Sequence, residues 1–120
     1  MSSAHADAVG RMIEAINERD PARRRSLIEQ SFTPDCAYTD PDDEVQGHDA
    51  LDALFERLQR QAPPELRFSL SGPLDAHHRQ ARFTWQFGAR GSADPVATGG
   101  DVAVFYDGRI HRLYAFFDKA

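Results

Sequence analysis

Asp40 and Asp101 differ from the other acidic side chains of this 120-residue chain in the neighbours they keep. Asp40 precedes Pro41 at the end of a short strand-like run, Cys36-Ala37-Tyr38-Thr39. Asp101 follows Gly99-Gly100 and opens an apolar run, Val102-Ala103-Val104-Phe105, so either face it occupies is expected to be largely buried. A buried carboxyl with no cation beside it has its charged form disfavoured and tends to stay protonated. A protonated Asp101 can donate a hydrogen bond to a substrate oxygen while an ionised Asp40 removes a proton, which is general acid–base chemistry. The same residues also have a plain structural reading. Asp40 would cap its own acidic turn, Asp40-Pro41-Asp42-Asp43-Glu44, and Asp101 would satisfy a backbone group at a bulge.

Other chemistries find little support. Cys36 is the single cysteine, so an internal disulfide and a cysteine-based zinc knuckle are excluded. The five histidines show no helical ligand spacing, and the sequence calls for no metal and no cofactor. Net charge is −5, and the one basic cluster, Arg23-Arg24-Arg25, lies among acidic neighbours and reads as a solvated helix face. Nucleic acid needs a basic stripe to neutralise phosphates, so it is not an expected partner. With 41% hydrophobic and 28% charged residues the chain matches neither a disordered segment nor a membrane bundle. Its longest apolar runs, Val102 to Tyr106 and Leu113 to Phe117, are too short to span a bilayer, so no membrane partner is expected. The opening Met1-Ser2-Ser3-Ala4-His5 has no basic region followed by an apolar run, which gives the expectation of a cytoplasmic protein.

The elements that must hold the two aspartates follow from periodicity. Ala8, Val9, Met12, Ile13 and Ile16 recur at helical spacing and predict a first helix ending near Asn17 to Arg19. Asp20-Pro21 reads as an N-cap with proline at the first helical position, where its missing N–H costs nothing. The second helix carries Leu27 and Ile28 inward and stops before Thr33-Pro34. Gly47-His48-Asp49 opens a third, with Leu51, Leu54, Phe55 and Leu58 as its apolar stripe and Pro63-Pro64 as its stop. Beyond it, Leu66, Phe68 and Leu70 alternate with polar residues, as do Ala81, Phe83, Trp85 and Phe87, which marks sheet with one buried face. Gly99-Gly100 predicts a bulge, and Asp107-Gly108 turns the next strand back along Ile110 to Phe117. Helices with one early strand, then a long antiparallel run, give an α+β layer with helices over one sheet face.

Asn17-Glu18-Arg19-Asp20, Phe32-Thr33-Pro34-Asp35, Thr39-Asp40-Pro41 and Gly47-His48-Asp49-Ala50 resemble, in order and spacing, the first half of SnoaL-like and ketosteroid-isomerase-like proteins. Gly100-Asp101-Val102-Ala103-Val104-Phe105, Asp107-Gly108-Arg109-Ile110 and the ending Phe116-Phe117-Asp118 resemble the second half. The resemblance runs over nearly the whole chain. It implies the cone-shaped fold of the nuclear-transport-factor-2-like superfamily: a single α+β domain over residues 1–120, three N-terminal helices on a strongly curved, mostly antiparallel sheet, around an apolar pocket for a small hydrophobic molecule. In the superfamily's isomerases a base aspartate sits in an Asp-Pro step after the first strand, a role that falls on Asp40. The acid that helps hold the enolate oxygen falls on Asp101; ketosteroid isomerase is the known instance of a carboxylic acid kept neutral by an apolar site. The family's third group, a tyrosine on the first helix, is matched here by Met12, whose thioether cannot donate a hydrogen bond. Losing one such donor costs on the order of a hundredfold in rate, so steroid isomerisation is not implied, and Tyr38 and Tyr114 are phenols away from the family position. The SnoaL-type aldol cyclases need only an acid/base near the pocket floor, which Asp101 supplies.

The expected pocket lining is Met12, Ile16, Tyr38, Phe55, Leu58, Phe83, Trp85, Phe87, Phe105, His111, Leu113 and Phe117. The neighbours of Asp101 depend on the last turn. A two-residue Asp107-Gly108 hairpin sets Asp101 opposite Tyr114, whereas a three-residue loop starting at Tyr106 moves His111 and Leu113 onto that face. The three-residue loop is preferred, because the resemblance also puts Leu113, Ala115 and Phe117 towards the pocket. Arg82 alternates away from Trp85, which argues against an epoxide-hydrolase-like Asp-Arg-Asp site. His48 reads as a loop or cap residue, with a neutral ring facing Asp40 as the other option. The expected activity is proton transfer beside a carbonyl, as isomerisation or aldol-type cyclisation. The alternative is a non-catalytic ligand binder or dimeric module. The resemblance also implies a homodimer, although the outer sheet face offers Arg82, Thr84 and Gln86 rather than a large apolar patch.

Overall fold

Asp20 accepts a hydrogen bond from the Arg23 backbone N–H at 2.9 Å, and Pro21 follows it, so one helix begins where the sequence places its cap. In the computed structural model, which describes residues 3–118, this is α2 (Pro21–Ser31), preceded by α1 (Ser3–Asn17). The first two residues of the opening segment read above lie outside the described residues. The chain then runs through β1 (Phe32–Thr39), β2 (Glu44–Gln46), α3 (His48–Arg60), β3 (Leu66–Leu70), β4 (Asp75–His77), β5 (Gln80–Ala89), β6 (Ala97–Tyr106) and β7 (Arg109–Phe117). The strand order is β2-β1-β7-β6-β5-β3, with β4 on β5. Every pairing is antiparallel except β1 with β7. This is the expected α+β architecture, three helices over a curved, mostly antiparallel sheet.

The apolar stripes of α1 and α3 meet the inner sheet face. Val9, Leu51, Phe55, Phe32, Ile110 and Leu113 are fully or almost fully buried there, with Phe32 and Phe55 edge to face. At about 25 cal/mol per Å² of apolar surface removed from water, such side chains supply most of the drive for folding.

Four local features depart from the sequence reading. The first strand begins at Phe32, not Cys36, and its pairing with β7 slips between Phe32 and Ala37, the stretch holding Pro34, which has no N–H to give a ladder. Arg24 is buried rather than solvated: its guanidinium meets Asp52 at 2.6 Å, the Gln59 side chain at 3.1 Å and the Glu18 carbonyl at 3.3 Å, tying α2 to α3 and to the end of α1. The outer face of β7 is more apolar than expected, with Tyr114 and Phe116 40% and 63% exposed.

The last departure concerns the register that aims Asp101. No bulge occurs at Gly99-Gly100, whose pairing with β5 and β7 is continuous. The hairpin is the two-residue form, with Asp107 and Gly108 at φ 54° and 79°. Its register would set Asp101 against Tyr114, but a shift between Val104 and Phe105 leaves His111 unpaired, and Asp101 comes to lie opposite Ala115. The three-residue loop is therefore corrected, while Leu113, Ala115 and Phe117 still take the side of Asp101, through a bulge rather than a longer turn.

Candidate functional site

Asp101 sits in the middle of β6, paired with Phe83 on one side and Ala115 on the other, and is 7% exposed. The residue two places before it, Gly99, faces Trp85 across the sheet. A Cβ at Gly99 would collide with the Trp85 indole and with the Phe116 carbonyl, so only glycine leaves the ring its place. From there the indole N–H donates to Asp101 Oδ1 at 2.8 Å. Burial pushes the Asp101 carboxyl up to about 7, outweighing the hydrogen bonds from Trp85 and the Phe116 backbone, and the charge of Asp40 adds to the rise. Asp101 therefore changes protonation near neutral pH, in a place almost closed to water.

Around it is a small cavity of about 60 Å³. Met12, Ile16, Tyr38, Phe55, Leu58, Trp85, Leu113 and Phe117, all expected as lining, border it, and so do Ile13, Phe68 and Ala115. Phe68 and Phe117 both stand edge to face on Trp85, with ring centroids 5.4 and 5.5 Å away. Three expected lining residues are elsewhere. Phe105 is stacked on His5 at 4.0 Å, Phe83 is buried without reaching the cavity, and His111 contacts Thr33 and Asp35 on β1 at 3.1 and 3.4 Å. The bulge that aligns Asp101 is what sends His111 away. Phe87 borders a second hollow, a groove of about 540 Å³ between the C-terminal ends of α1 and α3 and strands β3 and β5. Cavity and groove share Ile16, Leu58 and Phe68 as a wall. Pockets for small ligands usually measure about 300–1,000 Å³, so the cavity alone is too small for the expected molecule and the groove is the larger space.

Asp40 does not line the cavity. Its Oδ1 accepts the backbone N–H groups of Asp42 and Asp43 at 2.9 and 2.7 Å, the cap of an acidic turn. Its Oδ2 accepts the Tyr38 hydroxyl at 2.8 Å. Both carboxylate oxygens are thus engaged, and Tyr38 stands between Asp40 and the cavity. The Tyr38 phenol is pushed upward, first by burial and then by Asp40, so it stays protonated. The two aspartates expected to act together do not share the cavity: it brings Asp101 together with Trp85 and Tyr38, and Asp40 lies behind Tyr38. The signal was Trp85 opposite a glycine, legible only once the β5–β6 register is known. His48 takes the plain role, its Nε2 3.0 Å from the Phe32 carbonyl oxygen. Arg82 points outward to Asp75 at 3.0 Å, so no Asp-Arg-Asp site forms around it. Among the described residues no cluster of His, Cys, Asp and Glu is arranged to hold a metal ion, and no helix is long and apolar enough to cross a membrane.

Comparison with known proteins agrees with this geometry at the level of family. Among curated proteins, none matches the sequence. A candidate isomerase of the SnoaL-like family from Agrobacterium tumefaciens is 31% identical, covers 98% of this chain and 100% of its own, and superposes with a TM-score of 0.87. A candidate polyketide cyclase from Sinorhizobium meliloti is 21% identical over 91% of this chain and 93% of its own, with a TM-score of 0.71. A candidate ketosteroid isomerase from Kribbella flavida is 16% identical over 99% of this chain and 81% of its own, also at 0.71. The last two share the fold and carry no further weight. The SnoaL-like domain model matches residues 9–113, which takes in Asp101 and most of the cavity lining, and the chain belongs to the SnoaL-like domain family.

Proposed function

We propose that this protein catalyses proton transfer beside a carbonyl group on a small, largely apolar compound, with Asp101 as the single acid–base residue. The supporting observation is a buried carboxyl that borders a mostly apolar cavity and is held by the Trp85 N–H at 2.8 Å, with burial pushing it up to about 7. A general base works best when its pKa lies near the operating pH, because the deprotonated form is then available and still basic. The ionised Asp101 takes a proton from the carbon next to the carbonyl. The C–H electron pair passes into an enolate, and the protonated Asp101 returns the proton to carbon.

Tyr38 is the cavity-wall hydroxyl suited to the carbonyl oxygen. Its raised pKa keeps the proton on the phenol, and turning from Asp40 towards the cavity would let it donate to the developing enolate. Asp40 holds that hydroxyl in place between turnovers and acts as a positioning residue. Isomerisation and aldol-type cyclisation share this first step and differ in where the proton or the new bond goes.

The test is a carbon-13 NMR titration of the Asp101 carboxyl, joined to deuterium exchange of cyclic ketones in heavy water. A midpoint near neutral pH is expected, with catalysed exchange falling on the order of a hundredfold or more in Asp101→Asn. A midpoint in the ordinary carboxylate range would remove the basis of the proposal.

A further inference from the structure

The cavity beside Asp101 has room only for the tip of a ligand, so the adjoining groove must hold most of any bound molecule. The groove's polar side chains therefore decide what binds. Two of them are already committed to the fold. Asn17 clamps β3 through both backbone groups of Phe68, at 2.8 and 2.9 Å, and Gln59 binds the carbonyls of Ile16 and Glu18 and the Arg24 guanidinium. What is left is Arg19, Arg67 and Arg90, with Glu65 as the one carboxylate of the lining.

None of these three arginines makes an ion pair with any described residue. Six arginines elsewhere are paired with acids, among them Arg24 with Asp52, Arg25 with Asp49 and Arg57 with Asp43. Arg11, Arg79, Arg109 and Arg112 have no ion pair with a described residue either, but they do not line the groove. On a chain of net charge −5, a groove lined by three unpaired cations and one anion is a local reversal of sign. Arg67 is half-buried on β3, next to Phe68, which walls both groove and cavity, whereas Arg19 and Arg90 are exposed at the rim. Arginine forms paired hydrogen bonds with a carboxylate, which a neutral ligand cannot replace.

We infer that the groove selects an amphipathic organic acid, its carboxylate among Arg19, Arg67 and Arg90 and its apolar end directed past Phe68 to Asp101. The inference rests on the proton-transfer proposal only for what happens at that apolar end; the preference for an anion stands on the groove itself.

Trp85, the single tryptophan, packs on Phe68 and reports occupancy by its fluorescence. Decanoate, 1-decanol and methyl decanoate are titrated at a pH where the acid is ionised, with calorimetry in parallel. Decanoate is expected to bind about tenfold more tightly than the neutral pair at low salt. That advantage should shrink at high salt and vanish in the triple variant Arg19→Gln, Arg67→Gln, Arg90→Gln, which still binds decanol. Arg67→Gln alone replaces the triple variant if circular dichroism shows that the latter does not fold. Equal affinities, a preference that survives loss of the arginines, or no binding of decanoate at any soluble concentration overturns the inference. Calorimetry on Asp101→Asn separates the two proposals. A retained carboxylate preference without any Asp101-dependent exchange in the native protein leaves the groove standing and removes the chemistry. Asp101-dependent exchange without a carboxylate preference does the reverse.

Discussion

Two aspartates, one just past the end of β1 and one in the middle of β6, have opposite surroundings. Asp40 lies half-buried at an acidic turn, with two backbone amides and a phenol donating to it. Asp101 is buried on the inner sheet face, and Trp85 is its one side-chain donor among the described residues. The donors tie the first into its turn, and burial disfavours the charge on the second. The difference shows that a carboxyl's chemistry is set by the donors and the dielectric around it, not by the motif that carries it. The Asp-Pro step, the more recognisable of the two in sequence, holds the acid tied into a turn; the residue after two glycines holds the acid at the cavity.

The largest effect expected from disturbing this contrast comes from the glycine that creates it. Gly99→Val drives a side chain into the Trp85 ring and the Phe116 backbone and should cost about 3 kcal/mol or more in urea unfolding. Gly100→Ala meets only ordinary contacts at 3.5 and 3.9 Å and should stay within about 1 kcal/mol of the native protein. Similar losses for the two would mean that the indole does not depend on that gap.

Next in size is a pH effect. Asp101 ordinarily titrates at 3.8 but in the folded chain holds its proton up to about 7. Between those values the folded state binds more protons than the unfolded one, so stability falls as pH rises through the window. The penalty is absent below it and fully present above it. Relative to Asp101→Asn, the native protein should lose about 3 kcal/mol between pH 5 and pH 9. A difference that does not change with pH would mean that burial does not hold the proton on Asp101.

The smallest effects belong to the Asp40 side. Tyr38→Phe removes one hydrogen bond to a carboxylate that keeps its two amides, at a cost of about 1 kcal/mol. Asp40→Asn retains an oxygen for those amides and should cost less than about 1 kcal/mol. It also removes a charge that raises Asp101, so the NMR midpoint of Asp101 moves down. A fall in stability as large as that of Gly99→Val would give Asp40 a role that its position does not show.

Much of the fold could be read from residues alone. The Asp20-Pro21 start, the Leu51-Leu54-Phe55-Leu58 stripe and the alternation along β5 are local signals, and each is where the periodicity puts it. Features needing two distant segments were not legible. Arg24 looks solvated until Asp52 and Gln59 arrive from α3. His111 looks like a neighbour of Asp101 until the bulge after the hairpin turns it towards Thr33. The arginines of the groove lie at positions 19, 67 and 90, too far apart in the chain to form a pattern.

Composition and periodicity by themselves determined the three helices and the long strands in their order, the α+β class and the burial of Asp101, because each rests on residues within a few positions of one another; the short strands β2 and β4 were not legible. Only the tertiary structure decided which groups face Asp101, how small the cavity is and which groove shares its wall. Those depend on strand register, and a slip of one residue exchanges the faces of the sheet. A single unpaired residue at His111 therefore settles what no reading of neighbouring letters can: which side chains share the inner face with Asp101.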